Sequence, residues 1–171
     1  TGSTGPPKGV QYTHSIFSAQ LALIEKYYGI SKDDIDQPAF PLFALFSIAL
    51  GACAVIPEMN PARPAQVDPE KFITTIRDHK VSYSFGSPAI WNVVSAYCIK
   101  NKIILPIKKI LMAGAPVSGE LIQRVKKIMP PDGEVHTPYG ATESLPVSSM
   151  TGSEIIEETW PETRKGKGTC V

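Results

Sequence analysis

The sequence predicts an α/β fold with a largely parallel sheet and flanking helices. Three observations lead there. Short strand-like runs alternate with helical stretches along the chain. Those runs are almost continuously apolar, as strands covered on both faces are. The 171 residues, 43% of them hydrophobic, suffice for one domain of ordinary size with a real core. No internal repeat is visible, and low complexity is confined to the opening residues and to RKGKG near the end.

Taken in order, Val10 to Thr13 reads as a short strand or turn. Thr13 or His14 starts a helix through SIFSAQLALIEKYYG that Gly29 stops, with Ile16, Leu21, Leu23, Ile24 and Tyr28 as its apolar side. Ala39 to Phe43 is strand-like, Leu45 to Ala52 helical, and Ala54 to Ile56 a short strand before the Pro-rich loop EMNPARPAQVDP. Asp68 caps a helix with Pro69 at its first position and Phe72, Ile73 and Ile76 on one face. SYSFG is a strand, Pro88 opens a helix through WNVVSAYCIKN, and Lys109 to Ala113 is a strand. Ser118 caps GELIQRVKKIM, where Glu120 suits the first turn. Glu134 to Pro138 forms one more strand before YGATE, and from Gly152 a short helix and a basic loop close the chain.

Charge excludes some partners. Seventeen Lys and Arg against 16 Asp and Glu give a formal net charge of +1, so nothing here favours nucleic acid or an anionic membrane. Cys53, Cys98 and Cys170 lie too far apart for a zinc spacing or a CxxC pair and read as reduced, buried thiols of a cytosolic protein. With no secretory leader visible, a cytoplasmic protein is expected. The uncharged run from Pro38 to Pro57 has the length of a bilayer helix. Pro41, Ser47 and Gly51 interrupt it, and acidic Asp36 and Glu58 flank it, so strand, helix, strand is the preferred reading over a membrane span.

Three segments point to chemistry. Within TGSTGPPKGV, the stretch GSTGPPKG offers backbone N–H groups in a glycine-rich bend, the hydroxyls of Ser3 and Thr4 and the charge of Lys8, a composition that suits polyphosphate. It is not a Walker A loop, because Lys8 stands between Pro7 and Gly9, and on these residues alone a loose terminus is equally admissible. MAGAPVSGE follows a strand and precedes a helix, so Gly114, Ala115 and Pro116 make a tight turn against which a flat ring could press. In TPYGATES, Tyr139 offers an aromatic face, and Gly140 and Ala141 permit close approach. Thr142 and Glu143 supply a hydroxyl and a carboxylate, suited to phosphate and Mg²⁺.

TGSTGPPKGV followed by TH, then GAP after a strand, then YGATE, in that order and spacing, resemble the adenylate-forming superfamily of AMP-forming acyl and aryl ligases. The resemblance runs through all 171 residues and implies a partial copy of the large N-terminal domain of such an enzyme. It implies that Thr1, Gly2, Ser3, Thr4, Gly5 and Lys8 grip the β and γ phosphates of ATP. Gly114, Ala115, Pro116, Tyr139, Gly140 and Ala141 would surround adenine, with Thr142 on the α-phosphate and Glu143 on Mg²⁺ as the catalytic pair. Phe43, Ala44 and Ser87 would border the acid. The implied reaction joins a carboxylate to the α-phosphorus, giving an acyl adenylate and pyrophosphate, with coenzyme A as a further cofactor in the CoA-ligase members.

Many relatives carry His or another large residue after PLF, where this chain has Ala44, which leaves room for a bulkier acid. FPLFALF, VIPEMNPARPA, TPYGATESLPV and GKGTCV look like the subgroup that includes the olefin β-lactone synthetases, which adenylate a 2-alkyl-3-hydroxy fatty acid whose hydroxyl then closes on the acyl carbon. The alternatives are an acyl-CoA synthetase, an acyl-AMP ligase or a nucleotide-binding module without catalysis. The family's ribose-binding aspartate, hinge and small C-terminal lid domain fall outside residues 1–171, and GTCV reads as entering a strand. The chain is therefore expected to be a single subdomain fragment, inactive by itself, with its oligomeric state unspecified. Of the histidines, His79 reads as a solvated helix end, His14 as a helix cap, and His136 either as a pocket residue or as packed core.

Overall fold

The computed structural model describes residues 9–168. They form one six-stranded sheet with helices on both faces. In chain order the elements are α1 (His14–Tyr28), β1 (Ile35–Asp36), α2 (Ala44–Ala49), β2 (Cys53–Ala54), α3 (Pro69–Asp78), β3 (Tyr83–Gly86), α4 (Pro88–Lys100), β4 (Lys109–Met112), α5 (Gly119–Lys126), β5 (Glu134–Ala141) and β6 (Ser144–Thr151). A run of helical turns follows, α6 (Gly152–Glu154), a π-helical turn over Ile155–Thr159, and α7 (Trp160–Thr163). Strand order is β2-β1-β3-β4-β5-β6, parallel throughout except for the antiparallel pair β5 and β6.

Local chemistry fixes the helix ends. The Thr13 side chain accepts from the Ile16 N–H at the start of α1, and Gly29, with φ of 61°, closes it in the left-handed conformation. Asp68 accepts from the N–H groups of Glu70 and Lys71 with Pro69 next in line, and Ser118 accepts from Leu121. Thr151 and Glu154 cap α6 reciprocally. His14 is the first residue of α1 and the neighbouring Thr13 its cap, while His79 ends α3 exposed to solvent.

The sheet separates two apolar layers. On one face Phe72 and Ile76 of α3, Trp91 and Val94 of α4, and Ile122 and Val125 of α5 pack on Ile110 and Met112 of β4. Cys98 is buried in this layer, and burial pushes its thiol up to about 11, whereas Cys53, also expected to be buried, is exposed on the short edge strand β2. On the other face Ile24 and Tyr28 of α1 meet Tyr83 of β3 and Leu111 of β4, with Phe46 and Phe85 against them. This second layer is thinner, and the cavity described below lies in it.

Several expectations need correction. The strand expected at Ala39 to Phe43 is one turn of 3-10 helix at Pro41–Phe43, and the true strand is the earlier Ile35–Asp36. Two prolines explain the shift. Gln37 and Ala39 still donate to the carbonyls of Tyr83 and Phe85, but Pro38 has no N–H to give and Pro41 favours the turn. The inward face of α1 carries Gln20, Ile24 and Tyr28, whereas Leu23 is 49% exposed. Strand β6 was not expected, and β5 runs through Ala141 instead of ending at Pro138. No helix among the described residues is long and apolar enough to cross a membrane, and Pro38 to Pro57 is broken into a 3-10 turn, α2 and β2.

Candidate nucleotide and acid site

A parallel sheet ends in carbonyl-side loops, and ligands gather where those loops meet. Here β3 ends at Gly86 and Ser87, β4 at Ala113 and Gly114, and β5 runs past Pro138 to a two-residue turn. All three border one cavity of about 760 Å³. Gly114 turns the chain after β4 with φ of 91°, and nothing stands within 4 Å of where its Cβ would be. A side chain is therefore excluded there by backbone conformation, and the space it would take is open to a ligand.

Thr142 and Glu143 form the turn that joins Ala141 to its partner Ser144 across the β5 and β6 hairpin. Tyr139 sits at the cavity edge with 56% of its surface exposed, so its ring is available as a stacking face. Gly140 is closed in. A Cβ there would approach the Ser144 carbonyl oxygen to 2.7 Å and Cβ of Leu145 to 2.8 Å. We expect Gly140→Ala to force the hairpin apart and to cost about 1–3 kcal/mol of stability, read as a lowered denaturant midpoint. An unchanged midpoint would show that the turn tolerates a side chain.

Of the residues singled out in the sequence, Phe43, Ser87, Gly114, Ala115, Pro116, Tyr139, Gly140, Ala141 and Thr142 line this one cavity. Glu143 is exposed at the hairpin tip and does not line it; neither does Ala44, which is buried at the start of α2. Thr1, Gly2, Ser3, Thr4, Gly5 and Lys8 lie outside the described residues. His136 on β5 does not line the cavity but packs behind its Tyr28, the two rings edge-on at 5.2 Å, with Tyr27 at 6.3 Å. Burial holds its imidazole below the ordinary histidine range, which is the behaviour of a packed histidine.

Part of the cavity lining is aromatic. Phe43 stacks on Phe85 with ring centroids 3.9 Å apart, and Phe46 lies 5.9 Å from Phe43. Phe40, Ile24 and Leu111 extend the apolar wall. Such a lining takes up a hydrocarbon chain by burying its surface from water.

One polar group in this wall escaped the sequence reading. Asp36 is only 1% exposed and lines the cavity from β1. The Tyr83 hydroxyl donates to Ser47 Oγ at 2.9 Å, and Ser47 donates in turn to Asp36 Oδ2. Burial raises the Asp36 carboxyl to about 7, helped by the nearby Asp34 charge and opposed by the Ser47 and Tyr83 hydroxyls. Burial likewise drives the Tyr83 phenol well above its usual value. In the sequence Asp36 belongs to the polar stretch SKDDIDQP and looks like one more loop carboxylate. Its burial arises from the pairing of β1 between β2 and β3, a long-range fact without a local signal.

The model of the AMP-binding enzyme family matches residues 1–170. The chain is 42% identical over all 171 residues to an olefin β-lactone synthetase of Stenotrophomonas maltophilia, and 40% identical over the same length to that of Xanthomonas campestris pv. campestris. It spans 30% of the length of each. Among solved structures, its fold is similar to that of a long-chain-fatty-acid–CoA ligase of Archaeoglobus fulgidus, with a TM-score of 0.73 and 21% identity over 87% of this chain and 32% of the other. The sheet, the motif order and the family match agree: this chain belongs to the AMP-binding enzymes.

Proposed function

We propose that these residues form the nucleotide and acid pocket of an enzyme that activates a carboxylic acid with ATP, releasing pyrophosphate, and that the acid is a fatty or 3-hydroxy fatty acid carried on to a β-lactone. The observation that carries this reading is the convergence of the GAP turn and the YGAT hairpin at one cavity that Phe40, Phe43, Phe46 and Phe85 also line. Similarity to two olefin β-lactone synthetases supports the lactone outcome.

The residues present fit a bound nucleotide. Gly114 leaves open space where a side chain would stand, and Tyr139 offers an exposed ring to the same cavity. The fit to Mg²⁺ is of the kind usual for that ion. The described residues contain no cluster of three or more His, Cys, Asp or Glu, so protein alone would not cage it. One carboxylate, Glu143, with phosphates and water completing the shell is the arrangement Mg²⁺ favours.

Each group then has a stated task. ATP supplies an electrophilic α-phosphorus and a leaving group in pyrophosphate. Gly114 to Pro116 and Tyr139 to Ala141 hold the base and so fix the α-phosphate relative to the acid, which makes attack effectively intramolecular. Thr142 donates its hydroxyl to an α-phosphate oxygen, where charge rises during displacement. Glu143, at the hairpin tip next to the cavity-lining Thr142, would hold Mg²⁺, which would neutralise phosphate charge, and Thr1, Gly2, Ser3, Thr4, Gly5 and Lys8 would hold the departing phosphates. The aromatic wall excludes water from the acid chain, and with it the hydrolysis that would waste the activated acyl group.

The test is carboxylate-dependent ATP–pyrophosphate exchange by the full-length protein with dodecanoic and 3-hydroxydodecanoic acids. Glu143→Gln and Thr142→Val are each expected to lower exchange by about a hundredfold, the scale of losing one preorganised charge-stabilising group. Lactone formed from the hydroxy acid without coenzyme A supports the whole reading, while strict dependence on coenzyme A replaces the lactone step by thioester formation. Exchange with no acid at all sinks the activation itself. The isolated 171 residues are expected to give none.

A further inference from the structure

Two local features have no part in any step above. The chain from Ile155 to Thr159 is a π-helical turn, a form that is rare and tends to occur at functional sites. Gly119, the first residue of α5, is the other. Its φ is outside the left-handed region, so the backbone would admit a side chain; what excludes one is the ring of Trp160. A Cβ on Gly119 would overlap Cγ and Cδ2 of the indole and stand 2.8 Å from Cδ1. The ring is therefore pressed against the first turn of α5.

The π turn is what aims it there. The Trp160 N–H donates to the Ile155 carbonyl, five residues back, which sets Trp160 over a residue only 4% exposed and packed in the core with Leu121 and Ile122 of α5. In an α register the residues over Ile155 would be Glu158 and Thr159, three and four along. The extra residue of the π turn thus presents an indole where a carboxylate and a hydroxyl would otherwise stand.

The other end of the same run is held as well. Gly152 lies so near α5 that a Cβ there would come to 2.7 Å from Ile122 Cγ2, and Lys126 Nζ donates to Ser153 Oγ at 2.8 Å. The run from Gly152 to Trp160 therefore lies along α5, from Lys126 at its end to Gly119 at its start. It begins where β6 stops, and β6 carries the Thr142–Glu143 turn; it ends on the residue three after Pro116 of the GAP turn. Both turns border the cavity, and this strut joins them by a second route outside the sheet.

We propose that Trp160 is a positioning residue for the nucleotide: seated on Gly119, it fixes the start of α5 and with it the GAP turn against the YGAT hairpin. This assignment rests on the reading of the cavity as a nucleotide site and adds to it a residue outside the cavity lining.

Equilibrium binding of AMP and of dodecanoic acid to the full-length protein is measured separately by calorimetry, below the unfolding transition of each variant. Trp160→Ala is expected to weaken AMP binding about tenfold, within the range for residues that act without touching the ligand, and to leave dodecanoic acid within about twofold. Trp160→Phe keeps a ring on Gly119 and should restore most of the AMP affinity. Gly119→Ala, with the indole still in the chain, should weaken AMP as Trp160→Ala does. Added to Trp160→Ala it should cost nothing further, because the atoms it would meet are gone. Gly119→Ala carries the test by itself if Trp160→Ala does not fold. AMP and acid weakened by the same factor, or AMP affinity unchanged in both single variants, overturns the assignment and leaves the cavity a nucleotide site. No AMP binding by the wild type removes the nucleotide reading, and this assignment with it.

Discussion

Trp91→Ala is expected to remove about 3–5 kcal/mol of stability, the range for deleting a large buried aromatic. Trp91 has no exposed surface and meets the Phe72 ring edge-on at 5.8 Å, joining α4 to α3 beneath the sheet. A domain has only about 5–15 kcal/mol in total, so the loss is a large share of it. At roughly 2–4 °C per kcal/mol for a chain of this size, Tm should fall by about 6–20 °C. Trp91→Phe should cost much less. The indole N–H has no partner, so a phenyl ring keeps most of the contact area and removes a buried donor that nothing satisfies. Denaturant titration of both variants is the measurement, and an equal loss in the two would show that a phenyl ring does not keep the contacts of the indole.

Trp91 also links core to site. A Cβ on Gly86 would approach the indole nitrogen to 2.9 Å, so the ring fills the space beside the strand end that carries Ser87 to the cavity. Loss of the ring should therefore loosen the rim at Gly86 and Ser87 and weaken nucleotide binding along with stability.

The parts of this molecule written in local chemistry were legible in the sequence. Caps at Thr13, Asp68 and Ser118, the stop at Gly29 and the apolar stretch of β4 all depend on residues a few positions apart, and each element appears where those residues put it. Strand β6 was hidden for a physical reason. Its turn is Thr142–Glu143, which lacks the Gly or Asn of common hairpin turns, and Pro146 and exposed Val147 obscure the alternation of a strand. The site was half legible in the same sense. GAP and YGAT announce themselves as turns after strands, but the aromatic wall and Asp36 are assembled from α1, β1, α2, β3 and β4, and only the register of the sheet brings them together.

The second large effect concerns that same carboxyl and depends on pH. Asp36 has a folded-state value of about 7 against an ordinary 3.8, so the folded chain holds its proton more tightly than the unfolded chain does. Below about pH 4 both states are protonated and the residue costs nothing. As pH rises from about 4 to 7 the unfolded chain releases the proton while the native chain keeps it, and stability falls by up to about 1.4 kcal/mol per unit. Above about pH 7 the native carboxyl is ionised as well and the cost levels off. Asp36→Asn has no proton to lose and can still accept from Ser47. The variant should match the wild type near pH 4 and exceed it by about 2–4 kcal/mol at pH 8, read as a denaturant midpoint that separates progressively across that interval. A constant difference at all pH values would mean that the carboxyl is not held above its ordinary range.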